Sequence, residues 1–110
     1  MSARYVISRD HAGRYHFVLK AANGETLLSS EYYNSHSGVL NGLQSVRYNG
    51  EINSRYVIRN SPDGAYYFTL KASNGMALGV SERYRSRDAL DRAIERIKIL
   101  VPTTVIQDAT

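Results

Sequence analysis

Three arginines surround the start of a predicted helix in the second half of the chain, in the segment Arg83–Arg87 with sequence RYRSR. Ser86 is expected to cap that helix, and the free backbone N–H groups of a first helical turn attract anions. Because the positive end of a helix dipole disfavours cations, arginines clustered there are stabilised by a bound phosphate or carboxylate. The sequence therefore predicts an anion site formed by Arg83, Arg85, Ser86 and Arg87.

A solvated loop is the simpler interpretation of the same segment. Asp88 and Asp91 follow within the helix and would offset the arginine charge. The first half of the chain has Tyr32, Asn34 and His36 at the corresponding positions, so an anion site would occur once. We favour the solvated loop and keep the anion site as the sharper hypothesis.

A second group of residues could bind nucleic acid. His16, Lys20, Tyr67 and Lys71 occupy strand positions that alternate with a predicted core and so point away from it. Exposed aromatic rings stack on bases and neighbouring lysines follow phosphates, as in proteins that bind single-stranded RNA through a sheet surface. Neither half of the chain has a dense cluster of such aromatics, so a solvated or protein-binding face is the simpler interpretation.

Residue types that support catalysis or metal binding are present, but without the spacing that either needs. The three histidines lack Cys or carboxylate neighbours at metal-ligand spacing; they are His11, His16 and His36. Glu31 and Glu82 recur at equivalent positions and could be paired with Lys20 and Lys71, but an acid and a base need unlike environments. We therefore expect a structural role for both glutamates, no catalytic residue, no metal and no cofactor.

Composition indicates one small intracellular domain. A chain of 110 residues with 43% hydrophobic residues is enough for one core, and the absence of Cys excludes a disulfide framework. Arginines appear early in the N-terminal segment, which predicts neither a signal peptide nor a membrane anchor. The net charge of +4 permits weak attraction to phosphate, another anion or nucleic acid. We expect a cytoplasmic monomer that does not bind membranes.

The chain is a tandem duplication. A shift of 51 positions superposes residues 4–50, here called repeat one, on residues 55–101, called repeat two, with 17 identities in 47 pairs and no gap. A unit of this length cannot bury enough apolar surface alone, so the two copies are expected to share one core. We therefore predict a single domain over residues 1–110, with a junction at 51–54 and a C-terminal strand at 103–108.

Each repeat predicts three strands and a helix. Alternating apolar residues mark the strands, and Asn23-Gly24 and Asn74-Gly75 are strong hairpin signals because both residue types tolerate positive φ. The apolar period then changes to about 3.6 behind Ser35 and Ser86, which are expected to cap the helices. Gly38 and Gly42 lie on one side of the first helix, which predicts a close contact with the sheet or with the second helix.

The segment from Leu19 to Asn49, LKAANGETLLSSEYYNSHSGVLNGLQSVRYN, resembles the YegP-like family of uncharacterised bacterial proteins. The resemblance covers nearly the whole chain. It implies an α+β fold in which two tandem β(3)-α-β repeats share one antiparallel sheet covered by two helices. It also implies pseudo-two-fold symmetry with the final strands exchanged between repeats. Repeat two departs from the pattern where Asn41-Gly42 becomes Arg92-Ala93 and Ser45-Val46 becomes Arg96-Ile97.

No activity, substrate or cofactor comes with this resemblance. We therefore expect a small, non-catalytic binding or interaction module. The alternative is weak binding of single-stranded nucleic acid or of a phosphate anion through a basic surface that carries tyrosines.

Overall fold

The structure, a computed structural model, describes residues 2–110 as seven strands, two α-helices and one 3₁₀ turn. The elements are β1 (Arg4–Arg9), β2 (Tyr15–Lys20), β3 (Thr26–Ser30), α1 (His36–Asn49), the 3₁₀ turn (Asn53–Arg55), β4 (Tyr56–Asn60), β5 (Tyr66–Lys71), β6 (Ala77–Val80), α2 (Arg87–Leu100) and β7 (Val105–Asp108). The α+β class is confirmed, as are three strands followed by a helix in each repeat and the C-terminal strand. The final strand implied for repeat one is absent from the described residues, because the chain after α1 forms the 3₁₀ turn.

All seven strands form one sheet in the order β4-β5-β6-β3-β2-β1-β7. The repeats meet at its centre, where β3 pairs antiparallel with β6 through Ser29 opposite Val80 and Ser30 opposite Gly79. A Cβ added to Gly79 would lie 2.8 Å from the Ser29 carbonyl oxygen. The seam between the repeats therefore requires a glycine at this position.

The last strand makes the sheet mixed instead of wholly antiparallel. β7, which follows repeat two, pairs parallel with β1 of repeat one. Strand exchange therefore occurs in one direction only, and the reciprocal exchange implied by the resemblance is not seen in the described residues. The chain that leaves α1 turns through Asn53–Arg55 and enters β4 beside β5. After α2 the chain cannot pair with β2 in the equivalent way, because β1 already pairs with that edge of β2. β7 instead pairs with the outer edge of β1, and the two strands run in the same direction.

Each third strand carries a bulge that places two consecutive residues in the core. The pairing of β2 with β3 shifts between Leu19 and Lys20, which leaves Leu27 as the extra residue of β3. Both Leu27 and Leu28 are fully buried as a result. The pairing of β5 with β6 shifts at the equivalent point.

Both helices pack on one face of the sheet, and one hydrophobic core joins the repeats. Ser35 accepts a hydrogen bond from the Gly38 N–H at 3.0 Å and Ser86 accepts one from the Ala89 N–H at 3.0 Å, so both predicted caps are confirmed. The helix residues in the core have the predicted spacing. They are Val39, Leu43 and Val46 of α1 and Leu90, Ile94 and Ile97 of α2.

The first strand of each repeat is hydrogen-bonded to the end of the other repeat's helix. The Tyr5 hydroxyl donates to the Val101 carbonyl oxygen at 2.7 Å, and the Tyr56 hydroxyl donates to the Gly50 carbonyl oxygen at 2.7 Å. Burial raises the pKa of both tyrosines far above its usual value, so both remain protonated donors. These bonds satisfy carbonyl groups at the helix ends and join the repeats.

The close contact predicted for the small residues of α1 is made by a loop residue. A Cβ added to Gly42 would lie 2.2 Å from the Tyr33 hydroxyl oxygen and 2.3 Å from its ring. Tyr33 follows β3 and is bridged to Tyr15 by two backbone hydrogen bonds of 2.7 Å. Gly42 therefore allows a ring anchored to β2 to lie against the helix.

Ser30 and Ser81 hold the strand ends by the same pair of hydrogen bonds. Ser30 accepts from the Phe17 N–H at 2.8 Å and donates to the Glu31 carbonyl oxygen at 2.8 Å. Ser81 accepts from the Phe68 N–H at 3.0 Å and donates to the carbonyl oxygen of the next residue at 2.8 Å. These bonds explain why the serine of the Ser-Glu pair occurs in both repeats.

Replacing Ser30 by Ala is expected to destabilise the protein by about 1–3 kcal/mol, because a buried N–H group loses its acceptor. Ser81→Ala should have a similar effect, since it removes the equivalent pair of bonds. Urea unfolding measures both changes. The exposed Ser73→Ala serves as the control and should change the free energy of unfolding by less than about 0.5 kcal/mol. A Ser30→Ala variant as stable as that control would contradict this assignment.

The docking of β7 predicts an unusually acidic carboxyl group. Hydrogen bonds from the Thr110 hydroxyl, from His36 and from the Thr110 N–H lower the pKa of Asp108 to about 2. This contribution to stability is present above the usual pKa of 3.8 and is lost as the pH falls toward 2. NMR titration of the carboxyl carbon should show a midpoint near 2, and Thr110→Ala and His36→Ala should each raise it. A midpoint that neither substitution changes would contradict the contact.

Candidate functional site: the open sheet face

The face of the sheet opposite the helices is uncovered over residues 2–110. We call it the open face and define it by the strand side chains that alternate with the buried ones. Its central row crosses six strands through side chains in register. This row contains Val6, Val18, Ser29, Val80, Thr69 and Val57. All six are partly exposed, so a ligand could approach the backbone plane closely.

The strand residues of the open face include four cations and, among those that the structure describes, no carboxylate. The cations are Arg4, Lys20, Arg59 and Lys71. Lys20 pairs in register with Arg4, which places two positive charges side by side across β1 and β2. Arg59 donates to the Thr69 hydroxyl at 3.2 Å, which holds its guanidinium over the face. The acidic residues of α2 lie on the other side of the molecule.

The structure places all four residues of the predicted sheet-face site on the open face. His16 and Lys20 are at the two ends of β2, and Tyr67 and Lys71 are at the two ends of β5. Two strands separate β2 from β5, which corresponds to about 14 Å. Because β2 and β5 run in opposite directions, each end of the face carries one ring and one lysine.

The ring at one end belongs to a stack. His16 lies 5.1 Å from the Tyr32 ring centroid, and the Arg14 guanidinium lies 4.3 Å from the same centroid. Asp10 holds Arg14 by an ion pair of 2.9 Å. Tyr32 is 53% exposed, so much of its surface remains accessible. We call Arg14, Tyr32 and His16 the first stacking group.

The opposite end has a related pair, which we call the second stacking group. The Arg83 guanidinium lies 5.5 Å from the Tyr67 ring centroid. These two residues border a depression of about 540 Å³ that Glu82 also lines. Arg83 corresponds to Tyr32 and Tyr67 to His16, so the aromatic ring and the basic group have exchanged places between the repeats. Each half therefore keeps an aromatic-basic contact at this position.

The residues of the predicted anion site have separate partners. Arg83 lies over Tyr67 on the open face, whereas Arg87 is ion-paired with Asp91 at 3.0 Å along α2. Ser86 is occupied as the helix cap, and Arg85 is exposed. The anion site remains a prediction, and its Arg83 contributes to the open face.

The remaining polar candidates do not form one cluster, although Glu82 borders the depression at the second stacking group. Glu31 and Glu82 are exposed beyond the ends of β3 and β6, and His11 lies in an exposed turn. His36 contacts Asp108 at 2.7 Å on the helix side. Within residues 2–110, no group of three or more His, Asp or Glu residues is placed to hold a metal ion.

Sequence reasoning missed several residues of the open face. Arg4 and Arg59 follow the same alternation as the predicted residues and could have been found by it. Tyr32 and Arg14 lie outside the strands, where alternation gives no direction. The contacts of Tyr32 with His16 and with Arg14 depend on how the loop after β3 folds over β2.

No helix in the described part of the chain is long and apolar enough to cross a membrane.

A family model described as a domain of unknown function, DUF1508, matches residues 10–56 and again residues 61–108. The chain is 40% identical over 110 residues to a UPF0339 protein of Shewanella oneidensis, with 100% of both chains covered. It is 34% identical over 110 residues to the UPF0339 protein YegP of Escherichia coli, again with 100% of both covered.

Two solution NMR structures have the same fold. That of the Shewanella oneidensis protein SO3888 has a TM-score of 0.90 at 40% identity, covering 98% of this chain and 92% of that one. That of Escherichia coli yegP, described as a protein of unknown function, has a TM-score of 0.92 at 34% identity, covering 100% and 95%. The resemblance to YegP-like proteins is confirmed, and these relatives supply no activity. The chain belongs to the DUF1508 family and carries two copies of its domain.

Proposed function

We propose that this protein is a non-catalytic binding module and that its open face binds single-stranded nucleic acid. The observation that carries the proposal is the separation of charge, since four cations and no carboxylate lie on the described strand positions of that face. A face whose strand positions carry only cations attracts a polyanion and orients it before contact, although Glu82 borders the face beside Tyr67. The Val, Ser and Thr side chains of the central row are short and partly exposed, which leaves room for a strand of nucleic acid across β2 to β5.

The stacking groups supply the second requirement for this ligand. Bases stack on exposed aromatic rings at a gain of about 1–3 kcal/mol each, largely without regard to sequence. The first stacking group presents Tyr32 and the second presents Tyr67. Because a lysine lies at each end of the face, both bases and phosphates would find partners there. Such a surface favours general binding over the recognition of one sequence.

The distribution of perturbed ionisable groups favours binding over catalysis. Catalytic sites collect residues of shifted pKa in one cleft. Here the tyrosines with the largest shifts, Tyr5 and Tyr56, are buried donors to helix ends. The acids with a lowered pKa, Asp10, Asp63 and Asp108, bind neighbouring turn or tail residues. A monomer in the cytoplasm, where single-stranded RNA is abundant, is part of this proposal.

Binding to a labelled RNA of about 12 nucleotides, a typical site size, tests the proposal by fluorescence anisotropy. We expect the logarithm of the association constant to fall with the logarithm of salt concentration with a slope of about −2 to −3, because about four phosphates would be neutralised. A slope near zero, or no binding at low salt, would exclude the nucleic-acid function.

Charge reversal on the open face provides the matched comparison. Lys20→Glu combined with Lys71→Glu should weaken RNA binding at least about tenfold, because two phosphate contacts become repulsive. Arg92→Glu combined with Arg96→Glu changes the net charge equally on α2 and should have a much smaller effect. Equal losses in the two double variants would show that net charge alone attracts the RNA.

A further inference from the structure

The outer edge of β4 has no strand beside it among residues 2–110, although the equivalent edge of β1 does. The sequence Tyr-Val-Ile occurs in both β1 and β4, and the two strands pair in the same register with β2 and β5. β7 covers the outer edge of β1 over the four pairs from Arg4 with Val105 to Ile7 with Asp108. β4 is the last strand of the sheet at the opposite side. Its outward backbone groups are therefore available for pairing.

Burial of equivalent residues shows what the missing strand leaves uncovered. Ile7 of β1 is fully buried, whereas its counterpart Ile58 of β4 is partly exposed. A groove of about 560 Å³ runs beside β4, with Tyr56 and Ile58 on one wall. The other wall is formed by α2 through Arg87, Asp91, Ile94 and Glu95, and Glu95 is paired with Lys98 at 3.1 Å. The groove occupies the position that β7 fills beside β1 and α1.

The groove also has a counterpart of the side chain that anchors β7 beside α1. His36, the first residue of α1, contacts the Asp108 carboxylate of β7 at 2.7 Å. Arg87 is the first residue of α2 and corresponds to His36. It lines the groove and is held by Asp91, with both side chains more than half exposed. A guanidinium can bind a second carboxylate that enters the groove.

The end of the groove at which a strand would begin is also defined. Arg47 of α1 donates to the Thr104 carbonyl oxygen just before β7, at 2.6 Å. The corresponding Lys98 of α2 donates to the side chain of Asn53, the counterpart of Thr104, at 3.4 Å. After Asn53 the chain turns into β4 instead of continuing along its outer edge. The place that a β7-like strand would occupy therefore starts beside Ser54.

We propose that the β4 edge binds an extended peptide segment of a partner protein, parallel to β4 and in the register that β7 adopts on β1. The segment carries an aliphatic residue beside Tyr56 and, two positions later, a carboxylate beside Ile58 that binds Arg87. Main-chain hydrogen bonds to the strand edge supply affinity, and the two side chains supply specificity. Self-pairing of β4 in a dimer is disfavoured because each copy carries Arg55 and Arg59 at this edge and no acid. This site is independent of the open face.

An acetylated peptide with the sequence of residues 105–110, VIQDAT, is the probe. We expect saturable amide shifts in the full-length protein that are confined to residues 53–60 and to the first two turns of α2. Shifts that localise instead to residues 4–7 would mean that the peptide displaces β7, and would overturn the proposal. The absence of saturable shifts, or a β4-mediated dimer in place of peptide binding, would overturn it as well.

A charge exchange tests the role of Arg87. Arg87→Glu should weaken binding of this peptide about fivefold, because an exposed ion pair is lost and a repulsion between two carboxylates replaces it. The same peptide with Lys in place of Asp should bind Arg87→Glu better than it binds the unmodified protein. Arg83→Glu, which changes the net charge equally on the open face, should leave the affinity within about twofold. A loss of affinity that is the same in both variants, with no recovery on exchange, would overturn the assigned register.

Discussion

The two halves of this protein are joined by reciprocal hydrogen bonds between the first strand of one repeat and the helix end of the other. Tyr5 binds the carbonyl oxygen of Val101, and Tyr56 binds that of Gly50. Each bond joins a buried hydroxyl group to a carbonyl group. Loss of either partner would lower the free energy of unfolding by about 1–3 kcal/mol. The helix ends meet so closely that a Cβ added to Gly50 would lie 2.7 Å from Val101. Neither repeat therefore buries its core residues without the other. The seven strands form one shared sheet, and one face of that sheet is not covered by helices.

Most of the fold could be predicted because the same pattern of strands, turns and helix occurs in both repeats. Alternation identified the strands, Asn-Gly pairs identified the hairpins, and Ser35 and Ser86 were correct as helix caps. The parallel pairing of β7 could not be predicted, because it depends on β1 having already filled the place beside β2. The burial of both Leu27 and Leu28 contradicts simple alternation, and only the bulge explains it. Of the open face, strand residues were predictable, whereas Tyr32 depends on a loop conformation that no periodic pattern encodes.

Departures from the symmetry of the duplication separate the surfaces proposed for binding. The aromatic and basic positions are exchanged between Tyr32 with His16 and Arg83 with Tyr67, so each end of the open face keeps one stacking ring. The edge of β1 is covered by β7, whereas that of β4 is not. The shared core thus gives both repeats the same backbone arrangement, while residues outside the core differ between them.

Residue-resolved unfolding of the full-length protein tests the shared core most directly. Leu19 is fully buried in repeat one, and Leu19→Ala should destabilise the protein by about 2–5 kcal/mol. If the core is shared, NMR signals of β5 and α2 in repeat two will disappear at the same lowered urea concentration as those of β1 and β2. Signals of repeat two that persist to the midpoint of the unmodified protein, while repeat one unfolds early, would contradict the account.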